Sequence, residues 1–275
     1  MAGKKGITRR QALTYGAGAV VGLGAAAATG AHLYLSNETV QHGLTYRPKI
    51  NDAGSAIEPI KEPLQYGLEN LVTETLFTHD TEDFLIWRSE DFDRKKPTLM
   101  FYPGGIGHLG DTHMGEDPLE NKYAYIDYIK RAQQEGWNII ACNHVGYADS
   151  DATPNQHAIF RGVERSIEYA LIEARLQPND LRIFGISFGG PLACHAAKYL
   201  STVFPSFKND PTQHIHFIAA NSAIDIPSIS HDLTGIPEGY VRSIWNGNEM
   251  YDAAAELRAM GSLPKQQRMR VHGAY

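Results

Sequence analysis

Cysteine is scarce: only Cys142 and Cys194 occur in 275 residues. That excludes a disulfide scaffold, which needs several cross-links in a short chain. Cys142 falls in a predicted central strand and Cys194 in a predicted helix, so both read as buried thiols behaving like small apolar residues. Cysteine and histidine nowhere recur at metal-ligand spacing, and no metal is expected. A basic excess is also missing. The chain has 25 Lys and Arg against 31 Asp and Glu, a net charge of −6, which argues against a nucleic-acid partner. No G-x-G-x-x-G follows a predicted strand, so neither a nicotinamide nor a phosphate site is expected, and no cofactor is implied. No internal repeat is visible, which sets aside solenoids and propellers. Apolar content of 43% and charged content of 20% are ordinary for a globular protein, and the length suits one α/β domain with an appendage.

Acidic residues are absent from residues 1–35, which carry Lys4, Lys5, Arg9 and Arg10; the remainder then holds 21 basic and 31 acidic residues. Residues 12–35 have no charge and are rich in Ala and Gly. At the junction, Thr8-Arg-Arg-Gln-Ala-Leu13 resembles a twin-arginine export signal, in which paired arginines precede a weakly hydrophobic stretch. Residues 12–35 also exceed the roughly 20 residues needed to span a bilayer. Within them Gly18-Ala-Val-Val-Gly22 is a G-x-x-x-G. The expectation is a signal or signal-anchor over 1–35. The remainder would then be exported to the periplasm or beyond, or held at the membrane facing outward. Residues 36–70, with Pro48, Pro59 and Pro63, read as a polar lead-in, and 71–275 as the folded domain.

From Leu71 the chain becomes rhythmic. Leu71 to His79 and Phe84 to Trp87 read as strands of a hairpin around Asp80-Thr-Glu-Asp83. Thr98 to Tyr102 and Trp137 to Cys142 are short apolar runs typical of buried strands. Tyr123 to Gln134 is a predicted helix with Tyr125, Ile126, Ile129 and Ala132 on one face, and Ile159 to Leu176 a longer one. Ile215 to Ala220 reads as a strand, Met250 to Met260 as a helix, and Met269 to His272 as the start of a last strand. Strands alternating with helices predict an α/β fold: a mostly parallel sheet with helices on both faces.

One stretch carries the chemistry. Leu181 to Ile186 is a predicted buried strand, Gly185-Ile-Ser-Phe-Gly189 fits G-x-S-x-G, and Leu192, Ala193, Ala196, Ala197 and Leu200 recur at helical spacing. A serine on a tight strand-to-helix corner needs neighbours without side chains, so that strand and helix can crowd together. The corner makes Ser187 the candidate nucleophile. It aims the Phe188 N–H and the positive end of the following helix at an oxyanion beside it. The glycine-rich loop Gly104-Gly105-Ile-Gly107 follows another strand and offers a second backbone donor, Gly105 or Ile106. The loop from Asn143 to Asn155 reads as mostly solvated, with His144 not a catalytic base.

Three segments together resemble the α/β-hydrolase superfamily of serine hydrolases, whose members include esterases, lipases and peptidases. They are Phe101-Tyr-Pro-Gly-Gly-Ile-Gly107, Asn143-His-Val-Gly-Tyr147 and Gly185-Ile-Ser-Phe-Gly-Gly190, and the resemblance covers residues 71–275. It implies attack of Ser187 on the carbonyl of a small-molecule acyl substrate, a carboxylic ester by default, through an acyl-enzyme. It also implies an acid and then a histidine after the serine. Under the family order these would follow a strand at Arg268–His272, so the domain is expected to be shortened at its C-terminus, lacking the final strand and helix and the usual acid and base. Two readings stay open. One is a working enzyme with Asp225 or Asp232 as acid and His231 as base, His231 being the histidine that could reach the site from a Ser-Ile-Ser-His-Asp loop. The other is a catalytically impaired or inactive hydrolase-like binding module.

Overall fold

The computed structural model describes residues 62–104, 109, 125–147, 150–204 and 215–220. The expected signal over 1–35, most of the lead-in, Gly105, Ile106, Asp225, His231, the helix at 250–260 and the strand at 269–272 lie outside the described residues. Among the described residues, no helix is long and apolar enough to cross a membrane.

Among the described residues, six strands form one sheet: β1 (Leu71–Phe77), β2 (Asp83–Ser89), β3 (Thr98–Tyr102), β4 (Asn138–Cys142), β5 (Leu181–Ile186) and β6 (His216–Ala220), in the order β1-β2-β4-β3-β5-β6. The β1–β2 hairpin is antiparallel, and β2 joins β4 antiparallel. From β4 onward every pairing is parallel. The mostly parallel sheet expected from the alternating pattern is therefore present. Three α-helices among the described residues flank it: α1 (Tyr125–Gln134), α2 (Gln156–Glu168) and α3 (Gly189–Val203).

The period-2 alternation of each strand divides the core into two layers. Leu99 and Phe101 of β3 and Ile139 and Ala141 of β4 pack with Tyr125, Ile126 and Ile129 of α1. Their neighbours Met100, Tyr102, Ile140 and Cys142 pack with Ile159, Val163 and Ile167 of α2 and with Leu192, Ala193 and Ala196 of α3. Both faces are thus covered, which is why β3 and β4 read as unbroken apolar runs and are buried at every position. The four positions expected on the inner face of α1 are all buried.

Several boundaries differ from expectation, three of them informatively. The helix expected over 159–176 begins earlier, at Gln156, because Asn155 caps it: its side chain accepts from the Ala158 N–H at 2.9 Å. It also does not continue as one helix. Residues Tyr169–Glu173 wind more widely, as a π-helical turn, with the Ala174 N–H bonded to the Tyr169 carbonyl at 2.9 Å. Tyr169 is buried there, and its hydroxyl donates to Glu74 of β1 at 3.0 Å. The first strand ends at Phe77 rather than His79. Neither Cys142 nor Cys194 is in a disulfide, and both are buried, as their sequence positions suggested.

Candidate active site

Ser187 and Phe188 link the end of β5 to the first residue of α3, and Ser187 has a φ of 53° and an exposed surface. A left-handed backbone costs a residue bearing a Cβ about 1–2 kcal/mol. The other described non-glycine residues at positive φ, Asn70, Thr81 and Arg175, lie outside the strands and α-helices, in turns away from this corner. Here the strain is held by pairing on both sides. The Ser187 N–H donates to the Ala220 carbonyl of β6 at 2.9 Å, and its carbonyl accepts from the Gly190 N–H at 3.0 Å. Strain held in place by the surrounding structure clusters at functional sites, which makes Ser187 the candidate here.

The two motif glycines are required by contact. A Cβ on Gly185 would lie 1.9 Å from the Gly189 carbonyl oxygen, and one on Gly189 would lie 2.1 Å from the Tyr102 carbonyl oxygen. Helix α3 therefore starts directly against the ends of β5 and β3. Its first turn holds no acidic residue of its own to offset the positive end of the helix. Phe188 occupies the N-cap position with its ring buried. Gly104 closes the other side of the corner: a Cβ there would meet the Tyr125 hydroxyl at 2.3 Å and the Ser187 Cβ at 3.5 Å. Ser187, Phe188 and the start of the β3 loop are thus brought together, as the motifs imply. Of the expected site residues, Gly105, Asp225 and His231 lie outside the described residues.

The loop after β4 departs from expectation. Asn143 to Tyr147 is buried throughout rather than solvated. His144 Nε2 lies 3.1 Å from the Pro103 carbonyl and 3.3 Å from the Gly104 carbonyl. Both partners only accept, so Nε2 carries the proton. The ring meets Tyr147 and Phe188 edge-on, with centroids 5.0 and 5.4 Å away. Burial lowers the His144 pKa to about 4, against the pull of the two carbonyl hydrogen bonds, so the ring is neutral at pH 7. His144 thus abuts the corner, tied to the carbonyls of the loop after β3 and packed on Phe188. Val145 and Tyr147, apolar residues just past a buried strand, were the sequence hint that this loop turns inward.

Other titratable groups are accounted for elsewhere. His195 faces away from the serine along α3; its Nε2 meets Glu164 Oε1 at 3.1 Å and its ring stacks on Phe160 at 3.9 Å. His216 is exposed at the start of β6, at the opposite end of the sheet. Burial pushes the Cys142 thiol up to about 12, so it is not a nucleophile. Among the described residues, no cluster of three or more His, Cys, Asp or Glu could hold a metal ion.

Comparison with known proteins bears on the fold. A family model described as the alpha/beta hydrolase fold matches residues 97–234. The chain is similar to the crystal structure of an alpha-beta hydrolase from Vibrio vulnificus, with a TM-score of 0.54 and 16% identity, covering 82% of this chain and 71% of that one. A Pyrococcus furiosus esterase aligns with a TM-score of 0.46 and 11% identity over 76% of this chain and 71% of that one. In sequence, 67 residues are 30% identical to a multifunctional-autoprocessing repeats-in-toxin of Vibrio cholerae serotype O1. That match takes in 24% of this chain and spans only 2% of the toxin's length.

Proposed function

The chain belongs to the alpha/beta hydrolase fold family, and from that premise we propose that it is a serine hydrolase cleaving a carboxylic ester or related acyl bond through an acyl-enzyme on Ser187. Family membership supports a hydrolase; the bond and the nucleophile are argued from the site, because a fold hosts many functions. The observation that carries the proposal is Ser187 itself: an exposed serine held at positive φ on a strand-to-helix corner, with glycine backbone crowded against it.

In the proposed reaction the Ser187 Oγ adds to the substrate carbonyl while a base takes its proton. The Phe188 N–H and the positive end of α3 face the oxyanion that forms, and the Gly105 N–H is the proposed second donor. Collapse of the tetrahedral species breaks the acyl–oxygen bond, and the departing alkoxide receives the proton from the base. Water then adds to the acyl-serine by the same route in reverse and releases the acid. Asp225 and His231 are the proposed acid and base, since they follow the serine in the order the family uses. Residues 1–35 are the proposed export signal or anchor.

The test is turnover of a short-chain p-nitrophenyl ester by the full chain and by Ser187→Ala, Asp225→Ala and His231→Ala. Turnover should vanish with Ser187→Ala and fall at least about 1,000-fold with His231→Ala. Wild-type turnover unchanged in Ser187→Ala overturns the proposal. No turnover and no covalent capture would favour the hydrolase-like binding module instead.

A further inference from the structure

We propose that His144 is a positioning residue: its Nε2–H holds the Pro103 and Gly104 carbonyls while its ring backs Phe188, so one side chain sets both backbone segments of the oxyanion corner. The inference rests on Ser187 being the nucleophile. Its basis is that His144 touches the corner from two directions. The hydrogen bonds of 3.1 and 3.3 Å reach the loop after β3, and the edge-on contact of 5.4 Å reaches the ring of the residue after the serine.

Peptide geometry turns these contacts into a function. A trans peptide is planar, with its C=O and N–H opposed, so fixing a carbonyl fixes which way the next amide faces. No peptide among the described residues is cis. Holding the Pro103 carbonyl therefore orients the Gly104 N–H. Holding the Gly104 carbonyl as well ties down both carbonyls that flank Gly104, the loop residue whose built Cβ stands beside Ser187. Gly104 has no side chain to resist peptide rotation, and a Cβ at this position would stand 3.5 Å from that of Ser187. An unrestrained glycine peptide beside the nucleophile would sample several orientations. The tie to a buried imidazole removes that freedom before substrate arrives, and oxyanion stabilisation depends on donors that need no reorganisation. His144 itself is held between Tyr147 and Phe188 and stays neutral, so it remains a single-proton donor throughout the neutral range.

The experiment compares the wild type with His144→Gln, which keeps an N–H donor near the Nε2 position, and His144→Met, which has similar bulk and no donor. Each is assayed for kcat and KM on p-nitrophenyl butyrate and for its labelling rate with a fluorophosphonate, alongside Ser187→Ala. His144→Met should lower kcat and the labelling rate about 10- to 100-fold with KM within about threefold, because the loss is in the transition state. His144→Gln should return both to within about threefold of wild type. A Met variant with wild-type kcat overturns the proposal, as does a Gln variant as impaired as Met, which would make the role one of packing alone. Should the Met variant not fold, long-range proton–nitrogen NMR of the wild type decides. One imidazole, identified by its loss in His144→Gln, should remain the neutral Nε2–H tautomer from about pH 6 to about pH 8. An imidazole there that titrates near the ordinary histidine value overturns the proposal. If the wild type does not label, or labels equally in Ser187→Ala, the nucleophile assignment has failed and the positioning role falls with it. If labelling depends on Ser187, the outcome bears on His144 alone.

Discussion

Gly185→Ala probes the corner most simply, because it adds one methyl group and changes no charge. Gly185 does not have positive φ, so alanine meets no backbone penalty and the effect is steric. The new Cβ would sit 1.9 Å from the Gly189 carbonyl oxygen, 2.4 Å from its carbonyl carbon and 2.9 Å from the Gly190 nitrogen. Real Cβ atoms essentially never come within 3.0 Å of such atoms, so the first turn of α3 must retreat by about 1 Å. It has little room, since Gly189 already lies against the Tyr102 and Pro103 carbonyls. Overpacked cores lose about 1–3 kcal/mol when side chains can rotate away. Here every clash is with backbone, and we expect about 3 kcal/mol, or a melting temperature lower by about 6–12 °C. A displacement of about 1 Å at the reacting groups costs about 100-fold in rate. The assays are urea denaturation and the fluorophosphonate labelling rate. Gly136→Ala is the control: its φ is +77° but its surroundings are open, the nearest atom being Lys96 Nζ at 4.0 Å, so it should cost only about 1–2 kcal/mol and leave labelling unchanged. A Gly185→Ala protein within about 0.5 kcal/mol of wild type, labelling at the wild-type rate, would refute the crowded-corner account.

Other expectations follow from the same structure. Ser187→Gly relieves the left-handed backbone, so it should abolish labelling while melting no lower than wild type, whereas Ser187→Ala should keep the strain; differential scanning calorimetry checks both. Burial would raise the Glu164 carboxyl, but hydrogen bonds from His195 and Arg161 outweigh it and hold its pKa down; Glu164→Ala should loosen the α2–α3 contact by about 2 kcal/mol in urea denaturation. The depressed His144 pKa makes stability fall with acid: the unfolded imidazole takes a proton below about 6.5, while the folded one resists until about 4. Across that window the wild type should lose up to about 3 kcal/mol more than His144→Gln, measured by denaturation at successive pH values.

The parts legible from sequence are those where one local pattern decides the outcome. β3 and β4 are apolar at successive positions because helices cover both faces, and α1 and α3 show their buried faces at helical spacing. The G-x-S-x-G corner was readable because its glycines answer a contact between neighbouring segments. What escaped depends on contacts across the chain. The π-helical end of α2 coincides with a Tyr169–Glu74 bond 95 residues apart in sequence. His144 looked like part of a polar loop because its partners are carbonyls about 40 residues away, and carbonyls leave no mark in a sequence. The acid and base pose the same difficulty, since a triad is defined by geometry and its members are not spaced by rule.

The central claim is that Ser187 is a live nucleophile, and covalent capture tests it most directly. The intact protein is incubated with a fluorophosphonate, its mass is measured, and the adduct is mapped by peptide sequencing. The account predicts one adduct per chain, on the peptide holding Gly185 to Gly190, and none in a Ser187→Ala protein that melts at the same temperature as wild type. An unmodified wild-type chain, or an adduct that persists in Ser187→Ala, would contradict it.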